Sequence, residues 1–229
     1  MSKELSVSFV LIAEGAADHG LVTPLETLCV LSGADLASGN VVNFSALFSS
    51  GRLPESSGRS IAGKLQDAVA TGQIHDQINL LFIHRDADDA DASSRYREIE
   101  AAVHEASLHL PQAVAIVPIQ ATEAWLLLDE EKIRFAVKNP NGKVDLLLPK
   151  VSAVESLARP KQIFEETIAR ANERRRGRPK TLNKSTMGAI RRQLLETLDI
   201  EGPITQLSAW QKLQRDTARA IGQLREALS

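Results

Sequence analysis

A chain of 229 residues, 43% hydrophobic and 24% charged, has the make-up of a soluble globular protein, with room for one large domain or a domain and an appendage. Its one cysteine, Cys29, excludes an internal disulfide framework and a multi-cysteine zinc site, and no apolar run approaches the ~20 residues needed to cross a bilayer. The net charge of −2 conceals an asymmetry: positions 1–149 hold 20 acidic and 11 basic residues (−9), and positions 150–229 hold 9 and 16 (+7). An acidic front half suits a metal, and a basic back half suits a polyanion such as nucleic acid or the front half itself.

The start, Met-Ser-Lys-Glu-Leu, runs directly into an apolar stretch with no signal-peptide pattern, so a cytoplasmic location is expected. Residues 6–13 are β-branched and apolar and predict a first, central strand, ending at Glu14-Gly15-Ala16-Ala17-Asp18. Residues 24–31 have helical spacing, residues 41–47 are expected as a second strand, and residues 60–70 as a helix. Residues 78–83 form a third apolar run, followed by a helix over 93–109 with Tyr96, Ile99, Val103 and Ala106 at helical spacing. Residues 113–119 predict a fourth strand, leading into Glu123 and Trp125. Strands alternating with helices argue for βαβ units and a parallel sheet. Beyond about position 130 the strand signal fades. Pro160 starts one helix, Ser185 or Thr186 is expected to cap another, and Ser208 a last amphipathic one. The basic run Arg174, Arg175, Arg176, Arg178 and Lys180 is a candidate nucleic-acid contact or a solvated loop.

The third apolar run breaks into four acids within six residues: Asp86, Asp88, Asp89 and Asp91. Carboxylates this crowded repel one another, and hard divalent cations relieve that repulsion through oxygen ligands. An acidic loop capping the next helix is the alternative. In a parallel sheet the strand ends share one edge, where α/β folds bind ligands, so Glu14, Asp86, Asp88 and Glu123 can converge there. His84, just before these acids, is read as a hydrogen-bonded structural histidine or a general base, Trp125 as core, and Tyr96 as a helix-face residue rather than a nucleophile.

A glutamate after the first strand and an Asp-x-Asp after the third, here Glu14 and Asp86-Ala87-Asp88, resemble the TOPRIM domain of topoisomerases, primases and overcoming-lysogenization-defect nucleases. Three further marks resemble the DUF4276 family of small TOPRIM-like proteins: Ala13-Glu14-Gly15, the stretch from Glu123 to Asp129, and Arg159-Pro160-Lys161. The resemblance implies a TOPRIM-like α/β domain over 1–130, a parallel sheet flanked by helices, with a helical basic extension over 131–229 packed on it. It also implies metal ligands at Glu14, Asp18, Asp86, Asp88 and Glu123, one or two Mg²⁺ or Mn²⁺ ions, and a phosphate-assisting lysine at Lys161. Ala121 departs from the pattern, which often has serine there.

The expected activity is metal-dependent hydrolysis of nucleic-acid phosphodiester bonds, DNA ahead of RNA. Glu14, Asp86, Asp88 and Lys161 would be catalytic, and the resemblance adds an ATPase partner in bacterial defence or repair. Two alternatives stand beside it: a non-catalytic regulatory or nucleic-acid-binding subunit of such a complex, and a metal-dependent phosphatase on a small phosphoester. Lys64 and Arg59 are further candidates for the substrate groove.

Overall fold

The computed structural model describes residues 3–51, 60–106, 111–173 and 182–228. Four strands, β1 (Ser6–Ile12), β2 (Leu36–Val41), β3 (Leu80–His84) and β4 (Gln112–Ile116), form one sheet in the order β2-β1-β3-β4. Every pairing is parallel, with Phe9 opposite Leu80 and Leu80 opposite Gln112. Eight α-helices accompany them among the described residues: α1 (Val22–Leu31), α2 (Phe44–Ser49), α3 (Ile61–Ala70), α4 (Ser93–Glu105), α5 (Glu130–Ala136), α6 (Pro160–Ala171), α7 (Lys184–Glu196) and α8 (Ser208–Ala227). The chain is thus an α/β protein with a parallel sheet flanked by helices and a helical C-terminal part, as its alternating pattern predicts.

Side chains alternate across a strand, so each strand feeds two cores. Phe9, Leu11, Leu80, Phe82 and Val114 face one side and join Leu25, Phe164, Leu195 and Trp210 in the larger core. Val10, Ile12, Leu81 and Ile83 face the other and meet Leu65, Ala68 and Ile99 of α3 and α4. All five residues of β3 are buried, which is why its sequence is a continuous apolar run rather than an alternating one. The larger core draws on residues from both sides of position 130, and the edge-to-face pair Trp125–Trp210 (5.3 Å, 88°) joins them. Trp125 is core, as expected, and Cys29 is too: burial pushes its thiol up to about 12.

Three expectations fail locally. The second strand is residues 36–41, not 41–47. Asn43 accepts from the backbone N–H of Ala46 and opens α2, while Leu36-Ala-Ser-Gly-Asn-Val, poor in strand formers, pairs with β1. A glycine is required within it, because a Cβ at Gly39 would overlap the Phe9 ring. Helix α7 is capped by Asn183, which accepts from Thr186 N at 2.8 Å, rather than by Ser185 or Thr186. Ser208 does not cap α8 either; its hydroxyl donates to Glu155 Oε2 at 2.8 Å. Asp129 does cap α5, accepting from Lys132 N at 3.0 Å, and Pro160 stands in the first turn of α6. No helix among the described residues is long and apolar enough to cross a membrane.

Candidate functional site

The backbone leaving β3 and β4 continues side by side past the strand ends. Arg85 N donates to Ile116 O, Ala87 N to Pro118 O and Asp88 N to Gln120 O, each at 3.0 Å. This extension carries Thr122 to Asp86, although they are 36 positions apart. The Thr122 N–H (2.9 Å) and hydroxyl (2.7 Å) both donate to Asp86 Oδ1. From the neighbouring β1 end, Glu14 Oε2 accepts from Asp86 N at 2.9 Å and Glu14 Oε1 meets Arg85 Nη1 at 3.1 Å. Glu14 therefore ties the first strand end to the third.

Behind Asp86 lies a buried chain of charges. His84, 3% exposed, sets Nε2 2.9 Å from Thr122 Oγ1 and 3.5 Å from Asp86 Oδ1, and Nδ1 3.3 Å from Asp18 Oδ2. Asp18, 1% exposed, also accepts from Gly15 N at 2.7 Å and from Arg191 Nη2 at 2.6 Å. Arg191, on α7, places Nε 3.3 Å from Glu123 Oε1. Lys161, in the first turn of α6, brings Nζ to 3.4 Å from Asp86 Oδ2. The rigid turn Arg159-Pro160 aims that lysine, since proline pre-sets the first helical residue.

The electrostatics follow from these contacts. Burial alone would lower the His84 imidazole, but the carboxylates of Asp18 and Asp86 outweigh it and raise it to about 9, so it is a cation at neutral pH. Burial alone would raise the Asp86 carboxyl; the His84 hydrogen bond and charge and the two Thr122 donors hold it far below the usual range. Asp18 is likewise lowered against its burial, by His84 and Arg191. Glu123 goes the other way: its burial raises it in spite of Arg191, and its Oε2 is buried with no hydrogen-bond partner among the described residues.

The Asp-x-Asp pair is split. Asp86 is buried, whereas Asp88 adopts a left-handed conformation (φ 58°), which aspartate tolerates better than most residues, and meets Arg95 Nη2 at 3.1 Å in the open. Asp89 and Asp91 are exposed, and Asp91 accepts from Ser93 N at 2.8 Å just before α4, whose N-cap is Ala92 and has no side-chain cap. Tyr96 lies elsewhere, against Lys212 of α8 (4.6 Å from the ring), and burial pushes its phenol up to about 12. Lys64 lines a small recess with Glu14, His84 and Arg85. Arg59 and the run from Arg174 to Lys180 lie outside the described residues.

Among the described residues no three His, Cys, Asp or Glu side chains converge as a ready-made cation cage. Magnesium seldom needs one: it keeps several waters and takes one or two carboxylates plus substrate phosphates. The donor chemistry here fits that pattern. Among the described residues Asp86 Oδ2 meets the exposed Lys161 ammonium, and Glu123 offers an oxygen without a hydrogen-bond partner within the field of Asp86. Asp18 fits a ligand role less well, both of its oxygens being taken by Gly15, His84 and Arg191.

Sequence reasoning missed Thr122 and Arg191, whereas His84 is hydrogen-bonded, as expected. Thr122 follows the non-conforming Ala121 and supplies a hydroxyl one position on. Nothing in the sequence marks Arg191 among its neighbours on α7. Beside the acids, Lys161, Arg191 and Lys184 line a cavity of about 700 Å³ between α6 and α7. No family model matches the chain, and no curated protein and no solved structure is detectably similar to it.

Proposed function

We propose that the protein is a divalent-metal-dependent hydrolase of nucleic-acid phosphodiester bonds, with the ion held by Asp86 and Glu123 at the sheet edge. The observation that carries this reading is the Glu123 carboxylate, buried with one oxygen unpartnered within the field of an Asp86 kept ionised. A buried carboxylate left short of a partner is costly, and a hard cation is the partner its chemistry suits. When bound, the ion supplies Lewis-acid charge to a phosphoryl oxygen and acidity to water.

The chain's own groups do the rest. Thr122 and charged His84 lock the Asp86 rotamer and keep its proton off. Glu14 fixes the turn through Asp86 N. Lys161, more than half exposed, can move from Asp86 to a phosphate oxygen as charge develops there. Asp18 serves as the buried anchor of His84 and Arg191 rather than as a ligand.

The test is cleavage of supercoiled plasmid, single-stranded DNA and RNA with Mg²⁺ or Mn²⁺ by wild type, Asp86→Asn and Glu123→Gln, with folding checked by circular dichroism. A loss of about 10²-fold or more in both folded variants is expected, comparable to removing an electrostatic stabiliser. Cleavage equal in all three sinks the reading.

One observation favours the non-catalytic alternative: Asp18, Asp86 and Glu123 are each paired with a protein cation. Metal binding by calorimetry without cleavage would select it, and release of inorganic phosphate from mononucleotides would select the phosphatase. The ATPase partner rests on the resemblance alone, and co-purification from a host carrying the neighbouring genes tests it.

A further inference from the structure

The cavity between α6 and α7 opens beside the proposed reaction centre, with Glu123, the proposed metal ligand, in its lining. Its inner end holds Lys161 and Arg191, the residues that meet Asp86 and Glu123. Lys184 stands two helical turns farther along α7, about 10 Å from Arg191. Lys184, Gly188 and Arg191 follow the i, i+4, i+7 spacing of one helix face, and all three line the cavity. Across from them α6 offers Ala169 and one acid, Glu165.

Gly188 is the informative residue. Glycine is the poorest helix former after proline, yet it stands inside α7. No positive φ requires it, and among the described residues no neighbour comes within 4 Å of where its Cβ would be. Neither backbone conformation nor packing among the described residues accounts for it. What it does leave is open space on the cavity wall, next to the apolar flank of Met187.

We infer that this cavity is a binding groove for one single strand of nucleic acid, its phosphates drawn by Lys184 at one end and Lys161 at the other and a base lodged over Gly188 and Met187. The inference rests on the hydrolase reading and adds the substrate class. A groove of about 700 Å³ between two helices admits an unstacked nucleotide and not a base-paired duplex. Three cations, Lys161, Lys184 and Arg191, line the groove against two acids, Glu123 and Glu165, an excess that suits a polyanion.

The experiment measures binding without metal, so that it stands apart from cleavage. Fluorescence anisotropy in EDTA would compare labelled oligothymidylate, oligouridylate and a blunt DNA duplex, using wild type, Gly188→Ala, Gly188→Phe and Lys184→Ala. Wild type is expected to bind the single strands more tightly than the duplex, and the first two probes tell DNA from RNA. Gly188→Phe, which fills the groove from open space, should weaken single-strand binding by about tenfold or more, in the range of one lost base contact. Gly188→Ala should bind within about twofold of wild type, because a methyl group fits and favours the helix. Lys184→Ala should lower the slope of log affinity against log salt by about one. Equal binding by wild type and Gly188→Phe, duplex binding as tight as single-strand binding, or no binding by wild type overturns the proposal. Asp86→Asn should still bind oligonucleotide, so loss of cleavage in that variant with binding intact separates the groove from the reaction.

Discussion

Two groups of acids crowd the end of β3 and share little beyond residue type. Asp18, Asp86 and Glu123 are 1%, 4% and 7% exposed, and each meets a side-chain cation: His84 and Arg191, His84 and Lys161, and Arg191. Asp88, Asp89 and Asp91 stand in solvent, one beside Arg95 and one accepting from the backbone N–H of Ser93. Solvent and salt screen the second group, whereas the first interacts in a medium where a missing partner is expensive. Density of acids along the chain thus marks the neighbourhood of a site, and burial against fixed cations marks the site itself.

The largest effect should come from Asp18→Ala, which strips His84 and Arg191 of their shared counter-charge. A loss of about 3–5 kcal/mol is expected from urea unfolding, the range for breaking a buried pair. A loss below about 1 kcal/mol, as for an exposed pair, would erase the distinction between the two groups.

The pH dependence of stability sharpens it further. The His84 value is raised from 6.5 to about 9 in the folded protein. Its contribution is therefore complete below the unfolded value of 6.5 and is lost as pH rises through about 9. Asp86, lowered by its partners, contributes above its ordinary value of 3.8 and loses that contribution as pH falls toward its depressed folded value. Urea midpoints of wild type should fall between pH 6.5 and about 9, and those of His84→Gln should stay level there. An identical decline in both proteins would mean that some other group carries it.

The smallest effect belongs to the exposed group. Asp88→Asn keeps a side chain that tolerates the left-handed backbone and removes only a screened pair with Arg95, so stability should change by no more than about 0.5 kcal/mol. A change of several times that size would show that this acid works with the buried three.

Much of the fold was legible because its signals are local. The runs around β1, β3 and β4 are apolar and β-branched, and the helices after them have apolar residues at helical spacing. β2 was not, since an edge strand partly open to solvent needs few strand formers, and Gly39 is explained only by the Phe9 ring that faces it. Glu14, Asp86 and Glu123 were legible as strand-end acids. Their division of labour was not, since the turn at Asp88 and the Thr122 clamp depend on how two chain segments run together after their strands end.

By itself the sequence determined the alternation of strands and helices, hence a parallel sheet, and hence the single edge at which those acids gather, because run length and periodicity are properties of neighbouring residues. Tertiary structure alone decided which acids are buried, that His84 is a cation between two of them, and that Arg191, 173 positions from Asp18, closes the network. Burial and charge pairing depend on groups brought together from distant parts of the chain, and no local pattern encodes them.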